Sequence, residues 1–173
     1  GNLSAEHYIN HGVSKDNIRY ARYCTADPFQ DLNKSRKLDF RNRIREQLGL
    51  NKSDILIGFF GKLIPKKNPD LLLDSIRYLP PTIRERVAFL FVGTGELEPR
   101  LKHLASNAEQ QYGVSSHFAG FINQTQLASW YLATDVLVLP SRRMGETWGL
   151  VANEALLAGC SVILSDAVGS SAD

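Results

Sequence analysis

The chain predicts an α/β fold built on a doubly wound parallel sheet, and three observations carry that prediction. Apolar runs and helical segments alternate without a break from about residue 55 to residue 165. Ile55–Phe60 (ILIGFF) and Val87–Val92 (VAFLFV) are near-continuous apolar runs, the mark of strands covered on both faces. Turn residues follow the successive runs, at Gly61, Gly93, Gly120 and Pro140-Ser141, each ahead of a helical segment.

Taken in order, Leu3–Asn10 reads as a short helix with Gly12 as its stop, and Val13–Asn17 as a turn. Ile18–Tyr23 interleaves apolar and charged residues and predicts a short first strand. Cys24–Asn33 is an irregular connector. Ser35 caps a strongly charged helix that reaches Leu48, its apolar positions Leu38, Ile44 and Leu48, with Gly49 as the C-cap. Residues 1–34 thus form a connector with a first strand, and residues 35–173 the main domain. After the strand Ile55–Phe60 comes the loop Gly61–Asn68. Asn68 then caps a helix with Pro69 at its first position, running to about Leu79 and stopped by Pro80-Pro81. Val87–Val92 is the next strand, followed by Gly93–Glu96 and a helix Leu97–Tyr112. Ser116–Ala119 is a third strand, Gly120–Asn123 a loop, Gln124–Ala133 a helix and Asp135–Leu139 a fourth strand. A loop to Gly149, a helix from Leu150 and a strand Ser161–Ser165 complete the series. A parallel domain normally closes on a further helix, so the chain is expected to be a piece of a longer protein.

Composition sets bounds. The 173 residues, 43% of them hydrophobic, suffice for one domain with a real core and argue against disorder. Twenty basic and 18 acidic residues leave a net charge of +2, too balanced to imply a nucleic-acid partner. Cys24 and Cys160 stand far apart without metal-type spacing, so neither a disulfide frame nor a zinc site is expected, and a cytoplasmic setting is. No apolar run approaches the length of a membrane helix.

Ligands of such sheets sit at the carboxyl ends of the strands. The stretch GETWGLVANEALLAG (Gly145–Gly159) offers chemistry there. Gly149 stands where the loop feeds a helix, so the backbone N–H groups of Gly149, Leu150 and Val151 face a phosphate or pyrophosphate. Glu146 and Glu154, in an E-x7-E pattern, cannot bind phosphate but can accept hydrogen bonds from pairs of hydroxyls. The combination suits a ligand of the form sugar–diphosphate–ribose. Glu pairs at this spacing also arise by chance on amphipathic helices.

Gly145–Gly159, with the following Gly-Cys-Ser-Val-Ile-Leu-Ser, resembles the E-x7-E signature of retaining GT-B glycosyltransferases of the glycogen-synthase-like group 1 family. The resemblance covers roughly residues 55–169 and, more loosely, 3–30. It implies a Rossmann-like domain that is the C-terminal half of a GT-B fold, with the N-terminal acceptor domain and the closing helices lying elsewhere. It implies that Gly61-Lys62 and Lys67 hold a donor diphosphate and stabilise charge on the leaving group, Lys62 standing where Arg is commoner. Glu146 then contacts the donor sugar and Glu154 the ribose. Gly93-Thr94-Gly95 resembles the G-x-G loop, whose small backbone lets the donor approach. Phe118–Ile122 resembles the F-x-G segment, where main chain near Ile122 meets the base edge. Lys66 reads as solvated, Trp148 as packing, and Arg142 and Arg143 have no counterpart in the pattern. Tyr23–Phe29 departs from the family's usual segment.

The function implied is transfer of a hexosyl unit from a UDP-, GDP- or ADP-linked sugar to an acceptor hydroxyl, saccharide or lipid-linked. Neither a metal nor a further cofactor is implied, and attachment at the inner membrane would run through the other half. Polysaccharide assembly is the expected pathway class, and the chain alone is expected to turn over little. A sugar-nucleotide 2-epimerase of the same architecture and a non-catalytic nucleotide- or phosphate-binding module remain alternatives. Glu154→Ala is expected to weaken nucleoside diphosphate binding and leave folding nearly unchanged.

Overall fold

The computed structural model describes residues 1–21, 23–144 and 148–172. Its centre is a five-stranded sheet, β1 (Ile55–Phe60), β2 (Val87–Val92), β3 (Ser116–Gly120), β4 (Val136–Leu139) and β5 (Ser161–Leu164). The strand order is β3-β2-β1-β4-β5 and all pairs are parallel. Around it lie α1 (Asn2–Asn10), α2 (Lys34–Gln47), α3 (Asp70–Ser75), α4 (Pro81–Arg84), α5 (Glu98–Tyr112), α6 (Gln124–Ala133) and α7 (Leu150–Ala158).

Alternating side chains assign the two faces. Phe59, Phe91 and Phe118 pair across the strands in register and form one aromatic row, with ring centroids 6.3 and 4.9 Å apart. Lys102 of α5 lies over the Phe118 ring, so α5 and its neighbour α3 cover that face. Phe60 points the other way and stacks on Tyr131 of α6 at 4.2 Å, where α2, α6 and α7 pack together. Each fully buried ring contributes about 2–3 kcal/mol of transfer free energy. β1 and β4 are the strands where the winding reverses, which is where ligands of such sheets bind.

Three features depart from the sequence reading. The strand read at Ile18–Tyr23 is not seen: residues 18–21 and 23 have no regular secondary structure and do not join the sheet, after a 3-10 turn at Lys15–Asn17. Its interleaved pattern records chain running over a surface. The cap of α2 is Asn33, whose side chain accepts from the Arg36 amide at 2.9 Å, rather than Ser35. The other end matches the reading, with Gly49 left-handed at φ +67 just past the last turn, although the C-cap itself is Leu48. Asn68 does not cap α3 either. It is left-handed, at φ +53, and α3 starts after Pro69.

One polar network lay outside the sequence reading. Asp135, just before β4, pairs with Arg41 at 2.6 Å and Arg45 at 3.0 Å, and accepts from the Leu56 amide at 2.8 Å. Arg45 is buried and also donates to the carbonyls of Ala133, Asn51 and Asp54. The network ties α2 to the starts of β1 and β4. Burial alone would raise the Asp135 carboxyl, but the Leu56 amide and the two arginines together hold it below the usual range.

Candidate functional site

At the carboxyl ends of β1 and β2 lies a cleft of about 380 Å³. It is lined by Gly61 and Lys62 after β1, Gly93 and Thr94 after β2, Phe121 and Ile122 after β3, Gln124, Leu127 and Tyr131 of α6, and Val151 and Glu154 of α7. The rim is laced by backbone hydrogen bonds. Gly61 N–H donates to Val92 at 2.9 Å, Gly93 N–H to Gly120 at 2.8 Å and Leu63 N–H to Thr94 at 3.0 Å.

Gly93 and Gly95 owe their small size to this lacing. A Cβ on Gly93, which has φ +132, would stand 2.0 Å from the Gly61 carbonyl oxygen, and one on Gly95 would stand 2.3 Å from that of Leu63. The sequence reading placed both in contact with a donor. Gly93 does line the cleft, and both glycines also lie close against the neighbouring loop, with Gly95 outside the lining. A side chain at either would drive the two loops apart.

Of the remaining sequence-predicted residues, the cleft brings together Gly61, Lys62, Ile122, Val151 and Glu154. Lys67 ends a 3-10 turn (Pro65–Lys67), is half-buried and is not among the residues that line this cleft. Lys66, read as solvated, is half-buried, and its carbonyl accepts from the Arg142 amide at 2.8 Å. Arg142, unassigned before, donates twice to Asn68 Oδ1, at 2.8 and 3.1 Å, and clamps the loop after β4 to the loop after β1. Arg143 pairs with Asp166 at 2.7 Å in full solvent, where such a pair is worth little.

Gly149 takes φ +84 as the residue before α7, with the Leu139 and Val168 side chains packed where a Cβ would go. The first helical bond is Ala152 N–H to the Gly149 carbonyl, at 2.9 Å. The amides of Leu150 and Val151 therefore start the helix, as the sequence reading requires, but only Val151 lines the cleft, with Gly149 and Leu150 beside it. Trp148 is packing, as expected: it is buried and its indole N–H donates to Asn153 at 3.1 Å. Glu146 lies outside the described residues.

Glu154 enters the cleft already engaged. Tyr131 O–H donates to its Oε2 at 2.7 Å and Gln124 Nε2 to its Oε1 at 3.4 Å. Burial first, then this bond, pushes the Tyr131 phenol far above its ordinary value, so it stays a proton donor. The sequence reading missed Tyr131 and Gln124. Their signal was present: Gln124, Leu127 and Tyr131 fall at i, i+3 and i+7 on one face of α6, and all three line the cleft.

A larger cavity of about 640 Å³ runs between α2 and α6, past Phe40, Arg43 and Gln47. It lies along the helices, away from the loops after β1 and β2. The smaller cleft is the better candidate, because it joins strand ends, a cation and a helix start at the reversal of winding. Among the described residues no three of His, Cys, Asp and Glu gather as a metal site.

The sequence model of the family described as Glycosyl transferases group 1 matches residues 40–173. The chain belongs to that family. Among curated relatives, a D-inositol 3-phosphate glycosyltransferase of Streptomyces bingchenggensis is 37% identical over 152 residues, covering 82% of this chain and 32% of the relative. A second, D-inositol 3-phosphate glycosyltransferase 2 of Catenulispora acidiphila, is 34% identical over 82% of the chain and 34% of the relative. The chain thus spans about a third of the length of the curated relatives it matches. Among solved structures, HepE of Anabaena in complex with UDP-glucose superposes with TM-score 0.71 at 22% identity, over 98% of this chain and 44% of HepE. The C-terminal domain of LpcC, a group 1 family protein of Francisella tularensis, superposes with TM-score 0.59 at 26% identity, over 76% of this chain and 67% of that one. These likenesses agree with the Rossmann-like, GT-B type of sheet that the group 1 sequence predicts.

Proposed function

We propose that this chain is the nucleotide-sugar-binding, C-terminal half of a retaining GT-B glycosyltransferase. The observation that carries the reading is the convergence of Lys62, the Val151 end of α7 and Glu154 on one cleft at the winding reversal. In this reading Lys62, Lys67 and the first amides of α7 bind the donor diphosphate. As the bond to the sugar breaks, these groups stabilise the charge that develops on the leaving diphosphate. Glu154 accepts from the ribose hydroxyls, Ile122 and its loop meet the base, and Glu146 contacts the hexosyl unit. The acceptor hydroxyl, saccharide or lipid-linked, arrives from a second domain that closes over the cleft and excludes water.

That HepE was solved with UDP and UDP-glucose, and that the matched relatives are named as glycosyltransferases, support a nucleotide-sugar donor. The test uses the full-length protein with UDP-, GDP- and ADP-sugars, with and without acceptor. Acceptor-dependent release of nucleoside diphosphate, with the anomeric configuration kept in the product, is the expected result. Isomerisation of the donor without acceptor would replace this reading with an epimerase, and binding without turnover would replace it with a non-catalytic module.

A further inference from the structure

We infer that Tyr131 is a positioning residue, which orients the Glu154 carboxylate toward a ribose diol and ties it to the phosphate loop. The inference rests on the reading of Glu154 as the ribose acceptor. A lone carboxylate on a helix surface rotates freely, whereas a diol is bound well only by oxygens whose free lone pairs face it. Tyr131 removes that freedom. Its O–H donates to Oε2 at 2.7 Å, the short length of a charge-assisted bond, and leaves Oε1 toward Gln124 at 3.4 Å.

Tyr131 is itself fixed. It is 2% exposed, and its ring stacks on Phe60 with planes 16° apart. Its carbonyl accepts from the Cys160 thiol at 3.1 Å and the Thr134 amide at 3.0 Å. Phe60 is the last residue of β1, directly before Gly61-Lys62. The aromatic pair joins the strand end that carries the cation to α6, and the Tyr131 hydroxyl carries the link on to the carboxylate of α7. The separation between the phosphate and ribose contacts is set by packed rings rather than by flexible side chains.

The experiment compares binding of UDP, ADP and GDP with that of their 2′,3′-dideoxy counterparts by calorimetry. It uses the 173-residue chain and its Tyr131→Phe, Gln124→Ala and Glu154→Ala variants. The parent should prefer the ribonucleotide by about tenfold, the worth of a hydrogen bond to a charged group. Glu154→Ala should abolish the preference. Tyr131→Phe, which keeps the ring on Phe60, should cut it to about threefold or less, and Gln124→Ala by about twofold.

Full preference in Tyr131→Phe, with loss in Glu154→Ala, overturns the positioning role and leaves the ribose reading standing. Equal weakening of both nucleotide forms by Tyr131→Phe also overturns it, since that is the effect of packing alone. Absence of any preference in the parent overturns the ribose reading and this inference together. If Tyr131→Phe does not fold by circular dichroism, the exposed Gln124 decides, and parental preference in Gln124→Ala overturns the inference.

Discussion

Removing the Glu154 side chain leaves the buried Tyr131 hydroxyl without its acceptor. The sequence reading expected Glu154→Ala to leave folding nearly unchanged; the structure revises that. An unsatisfied buried donor costs about 1–3 kcal/mol, so the variant should lose nucleoside diphosphate affinity and also unfold at lower denaturant. Denaturation curves of the variant and parent that coincide would contradict this. The two lysines should also separate. Lys62→Ala should weaken diphosphate binding about fivefold or more at low salt, and less at high salt, because an exposed cation is screened. Lys67→Ala should have the smaller effect, since Lys67 lies outside the cleft lining. Titrations at two ionic strengths check both. The cysteines diverge as well. Cys160 is buried and donates to the Tyr131 and Thr134 carbonyls, and burial first, with the nearby Asp135 charge, pushes its thiol up to about 11. Cys24 is exposed. Alkylation at neutral pH should modify Cys24 alone in the native chain and Cys160 only after unfolding.

Among the elements, what the sequence disclosed and what it hid follow a physical line. β1 and β2 were legible to the residue because continuous apolar runs are local signals, and α6 has the bounds predicted for it. The segment Ile18–Tyr23 misled because interleaved apolar and charged residues also suit irregular chain on the surface. The α2 cap was misplaced because Asn33 and Ser35 both suit the role, and only backbone geometry chooses. Asn33→Ala should therefore destabilise the chain by about 1 kcal/mol, while Ser35→Ala should stay within about 0.5 kcal/mol; urea denaturation of both variants checks the assignment. The site divides in the same way. Gly61, Lys62, Val151 and Glu154 were readable from their places at strand ends and a helix start. The close approach of Gly93 and Gly95 to the neighbouring loop and the Tyr131 bond to Glu154 depend on contacts between distant segments, which spacing does not encode.

For the whole molecule, the Asp135 network ties α2 to the sheet. Its carboxyl is held below the unfolded value of about 3.9, so its stabilisation is complete above that pH and is lost as pH falls through the lower folded value. Asp135→Asn should cost about 3 kcal/mol at neutral pH, because Arg45 is left buried without its counter-charge. It should also flatten the loss of stability below about pH 4, as read by denaturation at several pH values. The same sheet sets the scale of function: its reversal between β1 and β4 opens the cleft, and the helices α6 and α7 beside it bring Tyr131 and Glu154 to the same rim.

The most direct test of the central claim is a map of backbone amide shifts in the chain as UDP, ADP or GDP is added. The account predicts that the perturbed amides cluster at Gly61, Lys62, Gly93, Ile122, Val151 and Glu154. Shifts centred instead on Phe40, Arg43 and Gln47 in the groove between α2 and α6, or no shifts with any of the three nucleotides, would contradict it.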